Sequence, residues 1–187
     1  MKKDELTADI EQTINWLTKT IDSETYNIIP FKGSWTAGQV VEHVNMSGAG
    51  FVDLINGNIK VTTRPVNEHV DRIKTMFLNF ESKNIAAEYL SPAMVNYNLQ
   101  NQLAKLESIK SGILTAVNSL DLGMTCLDFD IPTFGHLTRL EAVYFFLFQE
   151  LRWCGCCPPA DLCQPSSGTH PKMFERLPGE SVYRDKD

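Results

Sequence analysis

Hydrophobic side chains recur every three or four residues through most of the first 153 positions, and no stretch alternates as a half-buried strand would. The longest run, Leu99, Leu103, Leu106, Ile109, Ile113, Val117 and Leu120, keeps to one helix face until Asp121-Leu122-Gly123 closes it. Leu6, Ile10, Ile14, Leu17 and Ile21 predict an earlier helix over residues 4–22. At about 100° per residue they fall in a stripe about 80° wide.

A second helix is predicted to begin after Trp35. Thr36 and Gln39 have the spacing of a capping box, Val40, Val44, Phe51 and Ile55 follow at helical intervals, and Asn56-Gly57-Asn58 stops the run. Val66, Val70, Ile73 and Phe77 predict helix over residues 64–83, with Pro65 suited to its first turn. After an extended stretch, Leu127 to Pro132, the last helix is expected from Leu137 to Trp153. Its centre, AVYFFLFQ, is apolar on nearly every side, as in a helix surrounded by others. Such helices pack into an all-α bundle of four main helices.

At 187 residues the chain is long enough for one domain, and 43% hydrophobic with 21% charged residues excludes a disordered chain. A formal charge of -6 argues against a general surface for nucleic acid. The N-terminal MKKDELTADIEQT has no apolar signal core, and Ala142 to Phe148 is too short to span a bilayer. A cytoplasmic location away from membranes is therefore the expectation. Only Cys126 lies in the first 153 residues, whereas Cys154, Cys156, Cys157 and Cys163 fall close together after it. That shift divides the chain into a helical body, 1–153, and an irregular Cys/Pro-rich tail, 154–187.

Phosphate loops, dinucleotide fingerprints, HExxH pairs and GxSxG elbows are all absent from the sequence. His43 falls at the border of the apolar face of the second helix, where position alone reads as a core-edge histidine. Asp128 and Asp130 read as solvent-facing carboxylates near a helix start, and Arg139 and Glu141 as surface or interhelical pairs. Trp35 reads as an anchor under the second helix, and Ser34 lacks the partners of a serine nucleophile.

The segment Phe31-Lys32-Gly33-Ser34-Trp35-Thr36-Ala37-Gly38-Gln39-Val40-Val41-Glu42-His43-Val44 resembles the second-helix motif of DinB-like proteins. Phe134-Gly135-His136-Leu137-Thr138-Arg139-Leu140-Glu141 resembles the entry to that family's last helix, and Asn56-Gly57-Asn58 with the following Thr-Arg-Pro is similar to one of its branches. The resemblance spans residues 1–153 in order. It implies a four-helix bundle of up-down-down-up connectivity and the activity of a metal-dependent hydrolase or thiol-dependent transferase.

The family's divalent metal, Zn or Ni, is held by one histidine of the second helix and two of the last at i and i+4, which leaves a position for water. By this resemblance His43 is the first metal ligand, and the other two positions fall on Gln149 and Trp153. An amide oxygen is a poor substitute for imidazole, and indole offers no lone pair, so the three-histidine site is incomplete. The metal is weakened or absent on this reading, and no catalytic residue is assigned.

Other side chains do not restore the set. Glu150 and Cys154 are rotated about 100° from the Gln149/Trp153 face, and His136 lies about 20 Å earlier along the same helix. His69 reads as a solvated residue that would contribute only if its helix approached His43. The tail cysteines, C-x-C-C-x₅-C with His170 beyond, depart from zinc-knuckle spacing, and disulfides do not suit the expected compartment. A shift of reading frame between residues 149 and 153 would account together for the missing histidines and the burst of Cys and Pro. The expected partners are a small-molecule substrate and, from the apolar last helix and the resemblance, a second copy in a homodimer. The alternative is a non-catalytic helical bundle that acts through binding or dimerisation.

Overall fold

The computed structural model describes residues 3–79 and 86–156, with side chains through Arg152. Its architecture is all-α apart from one short ladder. The helices are α1 (Lys3–Thr20), α2 (Ala37–Asn56), α3 (Val70–Leu78), α4 (Leu99–Ser119) and α5 (Arg139–Cys156). Strands β1 (Ile59–Lys60) and β2 (Thr125–Cys126) pair antiparallel. No described helix is long and apolar enough to cross a membrane. The tail beyond Cys156 lies outside the described residues.

Local chemistry sets the helix starts. Thr36 Oγ1 accepts from Gln39 N and Gln39 Oε1 accepts from Thr36 N, which satisfies two backbone donors as the sequence predicts. A second reciprocal pair, unforeseen, opens α5: Glu141 accepts from Thr138 N while Thr138 Oγ1 accepts from Glu141 N. Asn98 caps α4 through Asn101 N.

Helix directions follow from contacts at both ends of each pair. Arg139 Nε donates to Ile55 O and Gln149 to Ser47 Oγ, so α5 runs antiparallel to α2. Gln102 donates to Gly38 O while Gly112 lies against Val52, so α4 runs parallel to α2. Lys3 reaches the carbonyls of Asn118 and Leu120, and Tyr26, just past α1, bonds Gln102, so α1 opposes α4. Between these four helices the core holds Leu6, Ile10, Ile14, Ile55, Leu106, Ile113, Phe146 and Leu147, each at most 2% exposed. Gly48 permits a close helix approach: a Cβ there would sit 2.8 Å from Ile109 and 3.1 Å from the Phe146 ring.

Two expectations need correction. The helix predicted over 64–83 begins only at Val70, with residues 66–69 in turns. Glu141 causes this, since its carboxylate takes both Arg64 and the His69 N–H and bends the segment toward α5. Arg152 completes the other end of α3 by donating to Phe77 O and Asn79 O. Residues 80–85 of the predicted helix lie outside the described residues.

Of the surface or interhelical pairs expected for Arg139 and Glu141, the structure shows the buried, interelement kind. Glu141 is fully enclosed with Arg64, and Arg139 is buried against the carbonyls of Ile55 and Asp121, where a cation suits the C-terminal end of α2. Asp128 is exposed as expected, yet it sits at no helix start. It accepts from Asn58 N and Nδ2 and so fastens the turn that ends α2.

Candidate functional site

His43 and Gln149 meet in the interior between α2 and α5. The antiparallel packing brings the face of α2 carrying His43 and Ser47, four residues apart, against the turn of α5 carrying Gln149. All three residues are buried.

The hydrogen bonds fix the state of the imidazole. His43 Nδ1 lies 2.8 Å from Leu90 O, in the single 3₁₀ turn Glu88–Leu90. A carbonyl only accepts, so Nδ1 carries the proton and Nε2 the lone pair of the neutral ring. That lone pair faces Gln149 Nε2 at 3.4 Å, and the same amide donates to Ser47 Oγ at 2.7 Å. Ser47 Oγ donates onward to Val44 O. The Trp35 ring closes one side, its centroid 5.4 Å from that of His43. Burial pushes the His43 pKa below its ordinary 6.5, against a smaller opposing effect of the Leu90 carbonyl.

This donor set does not fit a three-histidine metal centre. The Nε2 lone pair that an ion would need takes an amide N–H instead. Among the described residues no group of three or more His, Cys, Asp and Glu comes together. The Trp153 side chain, like those of Cys154 and Cys156, lies outside the described residues.

The remaining candidates disperse. His69 is half-buried, its ring against Phe134 and its N–H on Glu141. His136 turns its Nδ1 to Phe129 O at 3.3 Å. Glu150 is fully buried, with neither carboxylate oxygen hydrogen-bonded. Cys126 is buried, and desolvation pushes its thiol up to about 11, which makes it a poor nucleophile. Two surface hollows, one between α1 and α4 and one beside Lys3 and Leu140, include neither His43 nor Gln149 in their walls.

Two partners of His43 escaped the sequence reading. Ser47 had a signal, because it stands one turn after His43 on the same face. Leu90 had none, since it contributes a backbone carbonyl from a distant loop.

Comparison of the chain with protein-family models, with curated proteins and with solved structures returns no match.

Proposed function

We propose that this chain is a divergent DinB-like four-helix bundle, with α1, α2, α4 and α5 in up-down-down-up order, that keeps the second-helix histidine and has lost the three-histidine metal centre. The activity this leaves is non-catalytic: binding or dimerisation through the bundle, in the cytoplasm. One observation carries the reading. His43 Nε2, Gln149 and Ser47 form a closed hydrogen-bonded chain where the resemblance expects an ion. Each polar group named there has a partner, which is how proteins retain polar side chains in an interior.

A second reading keeps the metal-dependent hydrolase or thiol-dependent transferase, with a small-molecule substrate. It is favoured by the Leu90 carbonyl on His43 Nδ1, the kind of outer bond that orients histidine ligands in metal sites.

Metal analysis separates the two. Zn, Ni, Mn and Fe are quantified in the purified wild type, in His43→Ala, and in a variant carrying both Gln149→His and Trp153→His. The proposal expects a folded, metal-free wild type. It also expects the double variant to take up Zn or Ni stoichiometrically and to lose it when His43→Ala is added. Stoichiometric, His43-dependent metal in the wild type would restore the enzyme reading. A folded double variant that takes up no metal would remove the DinB-like assignment.

A further inference from the structure

The end of the molecule that carries His43 also carries an apolar rim. It is built by two segments, the α1–α2 connection and the stretch that leads into α4. Asn27 and Tyr97 staple them together: Asn27 Nδ2 donates to Tyr97 O, and Tyr97 N donates to Asn27 Oδ1. Both segments are also tied to the first turn of α2, through Gly38 N to Tyr26 O and Gln39 Nε2 to Ala93 O. Held on this frame, Ile28, Ile29, Phe31, Tyr89, Met94 and Val95 stand 47% to 80% exposed. That is on the order of 600 Å² of mainly apolar residue surface, at the upper end of what a monomer shows without using it.

We infer that this rim is a docking surface for the chain's own C-terminal segment, residues 157–187. Where the chain leaves α5 is the first argument. Gln149 is level with His43 and Ser47, and α5 runs antiparallel to α2. The seven residues on to Cys156 advance the helix about 10 Å, which brings its end level with the first turn of α2, where both rim segments attach. The remaining 31 residues span up to about 100 Å when extended, so reach does not limit them.

Tethering is the second argument. A segment joined to the same chain meets the rim at a local concentration in the millimolar range, which favours it over a free partner or second copy of equal intrinsic affinity. Its chemistry also suits the surface. Met173-Phe174, Leu177 and Val182-Tyr183 place apolar side chains along it. An apolar occupant matches an apolar rim, whatever the origin of that sequence and independently of the function proposed above.

Photo-cross-linking of the full chain tests this. A benzophenone amino acid replaces Met94, the most exposed rim residue, in dilute protein, and cross-linked peptides are mapped by mass spectrometry. The expected product has monomer mass and joins position 94 to a peptide within residues 157–187. Adding Phe174→Asp and Tyr183→Asp, with far-UV circular dichroism unchanged, should lower its yield about tenfold, the effect of losing a buried aromatic anchor. Cross-links between two copies, cross-links confined to residues 1–156, no cross-link at all, or a yield unmoved by the tail substitutions would each overturn the inference.

Discussion

The Gln149 amide nitrogen stands 3.4 Å from His43 Nε2, on the lone-pair side of a ring whose other nitrogen is committed to Leu90 O. The sequence resemblance puts a metal between these two helices, and the structure puts an amide there. Gln149→Leu would leave the buried Nε2 and the Ser47 hydroxyl without that donor. It should lower unfolding stability by ~1–3 kcal/mol, the cost of stranding buried polar groups, in urea denaturation at pH 7.5. A change below a few tenths of a kcal/mol would mean that the chain is not maintained in solution.

The same histidine should make the fold acid-sensitive. Its folded-state pKa lies below 6.5, so under mildly acidic conditions the unfolded chain binds the proton more readily. The stabilisation from burying a neutral His43 is full above pH 6.5 and falls as pH drops through 6.5 toward the folded value. Urea midpoints of wild type and His43→Phe, compared from pH 7.5 to pH 5, should show this component in the wild type and its loss in the variant. Equal slopes would exclude His43 as its source.

A second polar centre ties the start of α3 to α5. Glu141, with no exposed surface, takes both terminal guanidinium nitrogens of Arg64 at 2.6 and 2.7 Å and the backbone N–H groups of His69 and Thr138 at 2.8 Å. Desolvation raises its pKa, but Arg64 and the two N–H groups together outweigh that and hold the carboxyl below its usual value. Its stabilising contribution is therefore present above about pH 4.5 and lost as pH falls through the lower folded value. Glu141→Gln should cost ~3–5 kcal/mol, as when one partner of a buried ion pair is removed. Hydrogen exchange should then report loss of protection in α3. Protection in α3 equal to that of the wild type would refute the link.

How far the sequence foretold this fold depended on whether the deciding contact was local. The apolar stripes of α1, α2 and α4 and the Thr36/Gln39 box are written within a few residues of where they act. The start of α3 was misjudged because Val66, Val70, Ile73 and Phe77 keep helical period while the His69 N–H goes to Glu141, 72 positions away. The ladder pairs Ile59 with Cys126 over two residues per strand, too short for any alternation to show. At the site, the resemblance marked His43, whose place on the helix border alone reads as a core-edge histidine, and counting along the resembling helix marked Gln149. Leu90 acts through its carbonyl, which any residue could supply, so side-chain identity holds no trace of it.

Gly57 and Asp128 offer a test of a different kind. Gly57 is not kept for unusual dihedrals, since its φ is -80°. It is kept for space: a Cβ there would lie 1.9 Å from Asp128 Oδ2, the oxygen that accepts from Asn58 N at 2.8 Å. Gly57→Ala should destabilise by ~1–3 kcal/mol through this overpacking. In an Asp128→Ala background the same substitution should cost clearly less, because the obstructing oxygen is gone. Strict additivity in this double-mutant cycle would place the strain elsewhere.

Glu150 neighbours Gln149 in sequence, but its environment acts in the opposite direction. Its carboxyl is fully buried, neither oxygen has a hydrogen-bond partner, and desolvation alone drives its pKa well above 4.5. From about pH 4.5 upward the folded chain retains a proton that the unfolded chain gives up. Its contribution to stability is therefore present below about pH 4.5, declines as pH rises, and is fully lost once pH has passed the folded value. Falling pH thus weakens the fold at His43, whereas rising pH weakens it one residue beyond Gln149. Glu150→Met fills a similar volume without the polar atoms and should stabilise the protein by ~1–3 kcal/mol at pH 8. Its advantage should shrink steadily toward pH 5. Urea midpoints at the two pH values decide the matter: a Met variant weaker than wild type at pH 8, or one with the same advantage at both, would show that the carboxylate has a partner in solution.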